Sequence, residues 1–205
     1  MSTRRDFIKQ LGAVAGLGAA VAMGLGLNAQ QVRAALAGSW YMPDENELQE
    51  RVFLAFAASS SIWADWAGAV NNTIALLAKT IAKYQPVTVL CRPAQLAQAK
   101  SKCGTRNIRF ISVALDDIWM RDYGGCFVVD DQGGRGLVDF NFNGWGNKQV
   151  HANDTQVADE LSYQTNATYI SSQLTGEGGG IEIDGHGAAI ITESVLSFLG
   201  LGFPP

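Results

Sequence analysis

Residues 116–145 read DDIWMRDYGGCFVVDDQGGRGLVDFNFNGW, and the rest of the chain is organised around them. Two acids, a Trp and an Arg–Asp pair come first, then two β-like runs about a turn, then an aromatic loop rich in Asn and Gly. A carboxylate beside an aromatic face suits a flat cation such as guanidinium, because the acid accepts its N–H donors and the ring stacks on its plane. The alternative is an Asp-rich loop around one core Trp, since an isolated motif is only a hypothesis.

The chain before this stretch predicts strands that alternate with helices. Short apolar runs are typical of buried strands. Three predicted strands precede residue 116, at 52–56, 87–91 and 108–113. The order strand, helix, strand, helix, strand indicates an α/β arrangement.

Helices are predicted between these strands. Residues 63–84 carry one apolar stripe, at steps of four, three and four residues, and Pro86 stops the helix. The stripe consists of Val70, Ile74, Leu77 and Ile81. A shorter helix is predicted for residues 93–102, closed by Gly104.

The chain after residue 125 is richer in short strands. Apolar runs at 126–129 and 136–140 flank an Asp- and Gly-rich turn and predict a hairpin. Asp154 is predicted to be the N-cap of a helix that carries Val157 and Leu161. Candidate strands follow at 168–171, 181–183 and 188–192, the last two about an Asp–Gly turn. Periodicity alone therefore indicates an α/β or α+β fold.

Four segments, in this order along the chain, resemble the agmatine deiminase and bacterial peptidylarginine deiminase family. WYMPDENELQERVFLAF at 40–56 resembles the family's opening, and DDIWMRDYGG at 116–125 resembles its first active-site segment. VDFNFNGWGNK at 138–148 and EGGGIEIDGHG at 177–187 resemble the two blocks that follow. Each segment is weak alone, but their order is specific.

The resemblance implies the fold of guanidino-modifying enzymes. That fold is a five-bladed α/β propeller of the pentein type, built of ββαβ units, with its site on the central axis. The run VLSFLGLGFPP after residue 194 has no charge and no helix cap. We therefore expect a partial propeller whose C-terminal part is missing, with a family segment at 38–194 and an atypical apolar tail at 195–205.

The resemblance also implies which residues hold the substrate. Asp122 matches the carboxylate that binds the guanidinium nitrogens, although a salt bridge to Arg121 or Lys148 is an alternative. Trp119 matches the aromatic residue beside the substrate, or is a core Trp. Glu177 matches the second catalytic carboxylate, or is an exposed acid before a Gly-rich turn.

The aromatic loop matches the family's segment at the far end of the pocket. Phe142, Asn143 and Trp145 are the substrate-binding residues that the resemblance implies there. Peptidyl-arginine enzymes place arginines in this loop to bind a substrate carboxylate. The chain has Asn141 and Asn143 instead, which favours a free amine such as agmatine.

Other parts of the family's machinery have no counterpart in the sequence. Deimination needs a thiolate that attacks the guanidinium carbon and a His that protonates the leaving ammonia, but no metal or organic cofactor. The family's His-x-Asp pair and late Cys are absent. His186 sits in a turn, His151 in a polar loop, and Cys126 is expected to be a buried structural thiol. Glu182, Asp184 and His186 alternate but include a single His, so no metal site is expected.

The first residues predict export. Residues 2–9, STRRDFIK, match a twin-arginine signal, and an uncharged Ala/Gly/Leu stretch follows. An uncleaved anchor is the alternative, but a spanning helix needs about 20 strongly apolar residues. Removal of residues 1–37 takes four of the 15 basic and one of the 19 acidic residues, leaving a net charge of −7. We expect a periplasmic protein without stable membrane insertion.

Two functions remain open from the sequence. The first is a truncated deiminase that hydrolyses a guanidinium group of agmatine or peptidyl-arginine when complete and is inactive as this chain alone. The second is a non-catalytic periplasmic module that binds cationic guanidino compounds. The acidic surface disfavours nucleic acid, and homo-oligomerisation stays possible.

Overall fold

The computed structural model describes residues 40–172, 174–185 and 188–191. The predicted signal peptide, the predicted tail and His186 lie outside the described residues. The chain divides into two compact units. The parallel-sheet unit comprises Leu48–Met120 and Asn147–Val157, and the mixed-sheet unit comprises Arg121–Gly146 with the described residues before 48 and after 157.

The parallel-sheet unit contains a three-stranded parallel sheet in the order β1-β2-β3. Its strands are β1 Val52–Phe56, β2 Val87–Cys91 and β3 Ile108–Ser112. All five residues of the central strand β2 are buried, as expected of a strand that is covered on both faces. The α/β class and these three strands are therefore confirmed, with β3 ending one residue earlier than predicted.

The helix predicted for 63–84 is wrong in its first turn. Ala64 adopts a φ of 46°, which ends α1 Ser60–Trp63. A 3-10 turn, Ala64–Trp66, then runs into α2 Ala67–Ile81, which ends three residues before the predicted end. A second 3-10 turn, Pro93–Gln95, leads into α3 Leu96–Cys103, which ends at Gly104 with a φ of 71°. The predicted closure at Gly104 is confirmed.

The apolar stripe of α2 is also shifted from the prediction. Its buried residues are Asn71, Ile74, Ala75 and Ala78, whereas Leu77 is 44% exposed. Asn71 accepts the backbone N–H of Ala58 at 3.1 Å and donates to its carbonyl at 3.0 Å. The buried face of α2 therefore includes a polar residue that is bonded to Ala58, and it leaves out Leu77.

Free thiols contribute to the core of this unit. Cys91 and Cys103 are unbonded and buried in one hydrophobic cluster with Phe56 and Val89. Burial raises the pKa of both thiols, that of Cys103 to about 11.

The mixed-sheet unit contains a sheet in the order β4-β5-β6 and a two-stranded hairpin. β4 Cys126–Val129 and β5 Arg135–Asp139 pair antiparallel, and β6 Thr168–Ser171 lies parallel to β5. The hairpin consists of β7 Ile181–Ile183 and β8 Ala189–Ile191, after a 3-10 turn Gly178–Gly180. The two predicted hairpins are confirmed.

Two helices carry residues of both units, α4 Met120–Tyr123 and α5 Val157–Thr165. A 3-10 turn, Asp154–Gln156, precedes α5. In the opening segment, which the sequence shows as a loop, Tyr41 exchanges two backbone hydrogen bonds with Val129 of β4, at 2.8 and 2.9 Å. This pairing ties residues near 41 to the mixed sheet.

Candidate active site

Asp122 lies in α4, half-buried, and its carboxylate is held from two sides within the mixed-sheet unit. The backbone N–H of Gly179 donates to its Oδ1 at 3.1 Å. The side chain of Trp145 also hydrogen-bonds to it. Burial raises the pKa of Asp122, while these two donors and the charge of Arg121 lower it. The carboxylate is thus oriented without being neutralised by a direct ion pair among the described residues.

Glu177 is the second predicted carboxylate, and it stands next to the segment that bonds to Asp122. Its backbone is extended, and the 3-10 turn Gly178–Gly180 follows it. Burial raises the pKa of Glu177, and the negative charge of Asp122 raises it further. The charge of Asp122 therefore acts on Glu177, and a cation near both acids would relieve this repulsion.

The glycines after Glu177 allow this close approach. A Cβ at Gly178 would overlap the carbonyl oxygen of Arg121, and a Cβ at Gly179 would overlap Oδ1 of Asp122. Any larger residue would push the Glu177 segment away from α4. Packing beside α4 therefore requires glycine at 178 and 179, whereas the sequence of this run indicates only a turn.

The aromatic loop forms a left-handed turn. Gly144, Trp145, Gly146 and Asn147 have φ values of 64°, 57°, 80° and 61°. A left-handed conformation costs a non-glycine residue about 1–2 kcal/mol, and such conformations cluster at functional sites. The side-chain oxygen of Asn143 accepts the N–H of Gly146 at 2.8 Å, which stabilises the turn that carries Trp145.

Phe142 packs against Trp145. It is buried, and its ring meets the Trp145 indole edge-on, with centroids 5.0 Å apart and planes at 88°. The ring of Tyr123 also packs against Phe142, with centroids 6.0 Å apart. Of the predicted substrate-binding residues, Phe142, Asn143 and Trp145 thus belong to one loop, and Trp145 reaches Asp122.

Arg121 does not neutralise Asp122 by a direct ion pair. Its guanidinium is paired with Glu45 and, at 3.4 Å, with Glu182. Its charge is the last of the influences on the pKa of Asp122. Arg121 instead ties the opening segment to β7.

Trp119 belongs to the parallel-sheet unit and is held by Asp117. The Asp117 carboxylate, 1% exposed, accepts the indole N–H of Trp63 at 2.6 Å and that of Trp119 at 2.9 Å. Gln149 donates to it at 2.9 Å. The two indoles stack with centroids 6.2 Å apart, and Trp119 remains 42% exposed. Trp119 is therefore not a core Trp, and its contact with substrate stays a prediction.

Asp154 does not act as the predicted N-cap, because its carboxylate is used elsewhere. It accepts the backbone N–H groups of Asp116 at 2.8 Å and Asp117 at 3.1 Å. The N-cap position of its 3-10 turn is Asn153, whose backbone and side chain both donate to Asp116. Burial, followed by the nearby Asp116 and Asp117 charges, raises the pKa of Asp154 to about 7 against the donated hydrogen bonds.

Among the residues that the structure describes, neither Cys126 nor His151 is placed to act as nucleophile or acid beside Asp122 and Glu177. Cys126 is buried, and desolvation raises its pKa to about 11. His151 hydrogen-bonds to Thr155 at 3.0 Å and Asn147 at 3.1 Å in the parallel-sheet unit. Among the residues that the structure describes, no group of three or more His, Cys, Asp or Glu side chains is arranged to hold a metal ion.

Sequence comparison identifies relatives of this chain. Residues 41–198 match the model of the Porphyromonas-type peptidyl-arginine deiminase family. The agmatine deiminase of Pseudomonas aeruginosa (strain LESB58) is 34% identical over 166 residues, which are 78% of this chain and 45% of that protein. The agmatine deiminase of Stutzerimonas stutzeri (strain A1501) is 34% identical over 163 residues, or 77% and 44%.

Solved structures agree in fold. The agmatine deiminase of Enterococcus faecalis matches with a TM-score of 0.72 and 27% identity, over 77% of this chain and 44% of that one. A substrate-bound agmatine deiminase of C. jejuni matches with a TM-score of 0.64 at 21% identity, over 78% and 50%. The chain spans less than half of the length of the two sequence relatives above. Since the family model covers most of its length, the chain belongs to the Porphyromonas-type peptidyl-arginine deiminase family.

Proposed function

We propose that this chain supplies the guanidinium-binding carboxylates, Asp122 and Glu177, of a deiminase. The proposal rests on this pair of half-buried acids: burial raises both pKa values, and the negative charge of Asp122 raises that of Glu177 further. Two carboxylates that repel each other gain most from a shared cation. The agmatine deiminases among the relatives support the choice of a guanidinium.

In the proposed reaction the carboxylates grip the substrate and keep its charge on the reacting carbon. A thiolate adds to that carbon, the C–N bond breaks, and the leaving nitrogen takes a proton and departs as ammonia. Water then attacks the covalent intermediate and returns the thiolate, leaving a ureido group. Asp122 contributes an oxygen whose direction Gly179 and Trp145 fix.

This chain alone is proposed to bind without turnover. Its three cysteines, Cys91, Cys103 and Cys126, are all buried. Burial raises the pKa of each thiol, so at neutral pH they are protonated and poor nucleophiles. The whole enzyme would be a five-bladed α/β propeller, of which this chain is one part. The same thiols favour the second candidate, a binding module for guanidino cations.

Agmatine is the proposed substrate, in preference to peptidyl-arginine. The aromatic loop carries Asn141 and Asn143, which have no positive charge to hold a substrate carboxylate. The relatives compared above are named agmatine deiminases. A small cation with a free amine also suits the acidic balance of the chain.

Export by the twin-arginine route to the periplasm is proposed from residues 2–9. Within 40–172, 174–185 and 188–191, the structure contains no helix with the length and hydropathy of a membrane span. Fractionation of cells that express the chain, with and without Arg4→Lys and Arg5→Lys, tests the route. Unchanged export of the doubly substituted chain contradicts it.

Calorimetric titration of agmatine into the full chain tests the binding function. Saturable binding is expected, and Asp122→Asn or Glu177→Gln should abolish it. Asp131→Asn is the control, because Asp131 is an exposed acid in the turn between β4 and β5. A folded chain that does not bind, or binding that survives both substitutions, contradicts the proposal.

An ammonia assay separates binding from catalysis. We expect no product from agmatine or arginine with this chain alone. Turnover that Cys126→Ala abolishes would show that the thiol assigned to the core is the nucleophile.

A further inference from the structure

Asn141 lies two residues after the end of β5 and uses its side chain within the mixed-sheet unit. Its Nδ2 donates to the carbonyl of Ser172 at 2.6 Å and to that of Leu174 at 2.8 Å. A carboxamide nitrogen carries two hydrogens, and these two bonds use both. Asn141 therefore has no N–H left for a substrate group.

The bonds from Asn141 belong to a longer junction between β5 and the segment that precedes Glu177. The carbonyl of Asp139 accepts the N–H of Ser172 at 2.9 Å, and the carbonyl of Phe140 accepts the N–H of Gly176 at 2.8 Å. Residues 139–141, at and just after the end of β5, thus hydrogen-bond to Ser172, Leu174 and Gly176. Within that junction, Asn141 supplies a contact that depends on its side chain.

The backbone of Asn141 explains why an amide stands here. Its φ is 51°, a left-handed conformation that Asn tolerates better than most residues. Two converging carbonyl oxygens need a donor, which a carboxylate in the same place could not provide. Asn thus combines the required conformation with the required hydrogen-bond donor.

We infer that Asn141 is a positioning residue for Glu177: its amide fastens residues 172 and 174 to the end of β5 and so fixes where Glu177 stands beside Asp122. The inference rests on the proposed function of Glu177 and gives Asn141 a task other than substrate recognition. Gly178 and Gly179, which pack on Arg121 and Asp122, fix the same segment from its other end.

The experiment reads Glu177 itself. The full chain is prepared with glutamate labelled at the side-chain carboxyl carbon, and Glu177→Gln identifies the signal of interest. NMR titration then gives the pKa of Glu177, with and without Asp122→Asn. The difference between the two titrations reports how close Glu177 stands to Asp122, and it requires no ligand.

The test variant is Asn141→Gly, which keeps a left-handed backbone without strain and removes the amide. The control is Asn107→Gly: Asn107 has a φ of 58° and donates its side-chain amide to the carbonyl of Ala82 at 3.0 Å in the other unit. We expect the Asn141 variant to lose the dependence of the Glu177 titration on Asp122, and the control to retain it.

Three results would overturn the inference. One is an unchanged Glu177 titration in folded Asn141→Gly. If that variant does not fold, Asn141→Asp replaces it, and an unchanged titration there has the same meaning. Loss of the fold in both variants, with a folded control, would show that Asn141 supports the whole unit rather than Glu177. The proposed function fails separately. If Asn141→Gly changes the Glu177 titration but the unsubstituted chain does not bind agmatine, the inference stands and the proposed function is contradicted.

Discussion

The backbone N–H of Gly179 donates to Oδ1 of Asp122 at 3.1 Å, across 57 residues of sequence. This bond holds the segment that carries Glu177 against Asp122, the acid with which Glu177 is proposed to share a cation. The carboxylate pair therefore depends on backbone contact as well as on the acids themselves. Substitutions that leave both acids in place can still disable the site.

Gly179→Ala tests this dependence. A methyl group at 179 would overlap the Asp122 carboxylate, so the acid or the glycine segment must move, and agmatine binding should weaken roughly tenfold or more for the lost charge-assisted contact. Calorimetry measures the affinity. Gly68→Ala is the matched control, since nothing lies within 4 Å of a Cβ there and alanine is favoured in a helix by about 1 kcal/mol. Equal affinity of both variants would contradict the packing argument.

Trp145→Phe removes the indole N–H that bonds to Asp122 and keeps an aromatic ring against Phe142. Because that bond lowers the pKa of Asp122, the variant's Asp122 should protonate at a higher pH than that of the unsubstituted chain. Agmatine binding should then fall more at mildly acid pH than at pH 8. Trp66→Phe, at a side chain 72% exposed in the other unit, should show no such difference.

The binding of agmatine should itself depend on pH. Both carboxyls have raised pKa values, and a cation binds their ionised forms. Affinity should therefore be greatest near neutral pH and should fall as pH is lowered toward those values, with protons released on binding. Titrations in buffers of different ionisation enthalpy measure the release. Affinity that rises on acidification would contradict the assignment of these acids.

Asp154 predicts a pH dependence of stability in the parallel-sheet unit. Its pKa is about 7 in the folded chain, against an ordinary 3.8. Between these values the folded state binds the proton that the unfolded state has released. The free energy of unfolding should therefore decrease as pH rises from about 4 to 7, by at most about 1.4 kcal/mol per pH unit. Urea unfolding measures this slope.

Asp154→Asn should flatten that slope, even though the amide loses an acceptor for the Asp116 or Asp117 N–H. Asp131→Asn, at an exposed position, should leave the slope unchanged. A slope that persists in Asp154→Asn would assign the titration to another group.

Asp117→Asn should disturb the stacked indoles. The carboxylate accepts three N–H donors, and a single amide oxygen cannot replace both of its oxygens. We expect a loss of about 1–3 kcal/mol in unfolding free energy. The exciton signal of the Trp63–Trp119 pair in far-ultraviolet circular dichroism should also weaken, as it should in Trp119→Phe. An unchanged signal would mean that stacking alone holds the pair.

The strands were predictable because their signals are local. Residues 87–91 are mostly apolar and follow a Pro, and 126–129 adjoins a strong turn, so hydrophobic pattern and turn chemistry agree. The break at Ala64 and the buried Asn71 were not predictable. Both depend on contacts made after folding, such as the bonds between Asn71 and Ala58.

The sequence predicted which residues belong to the candidate site, but it did not predict how they contact one another. Asp122 and Glu177 were identified through resemblance, and in the structure the negative charge of Asp122 raises the pKa of Glu177. Nothing local in the sequence indicates that Trp145 bonds to Asp122, that Asp117 holds two indoles, or that both amide hydrogens of Asn141 are used. The partners of these side chains are distant in sequence, so only the folded structure reveals them.

The raised pKa values of Asp122 and Glu177 have a consequence for how the protein can change over time. Placing two like charges together out of full solvent weakens the fold, so removing either acid should make the unliganded chain harder to unfold. Substitutions of either acid that increase the stability of the fold would therefore reduce ligand binding. If both acids persist in a lineage, selection has acted on function rather than on the stability of the fold.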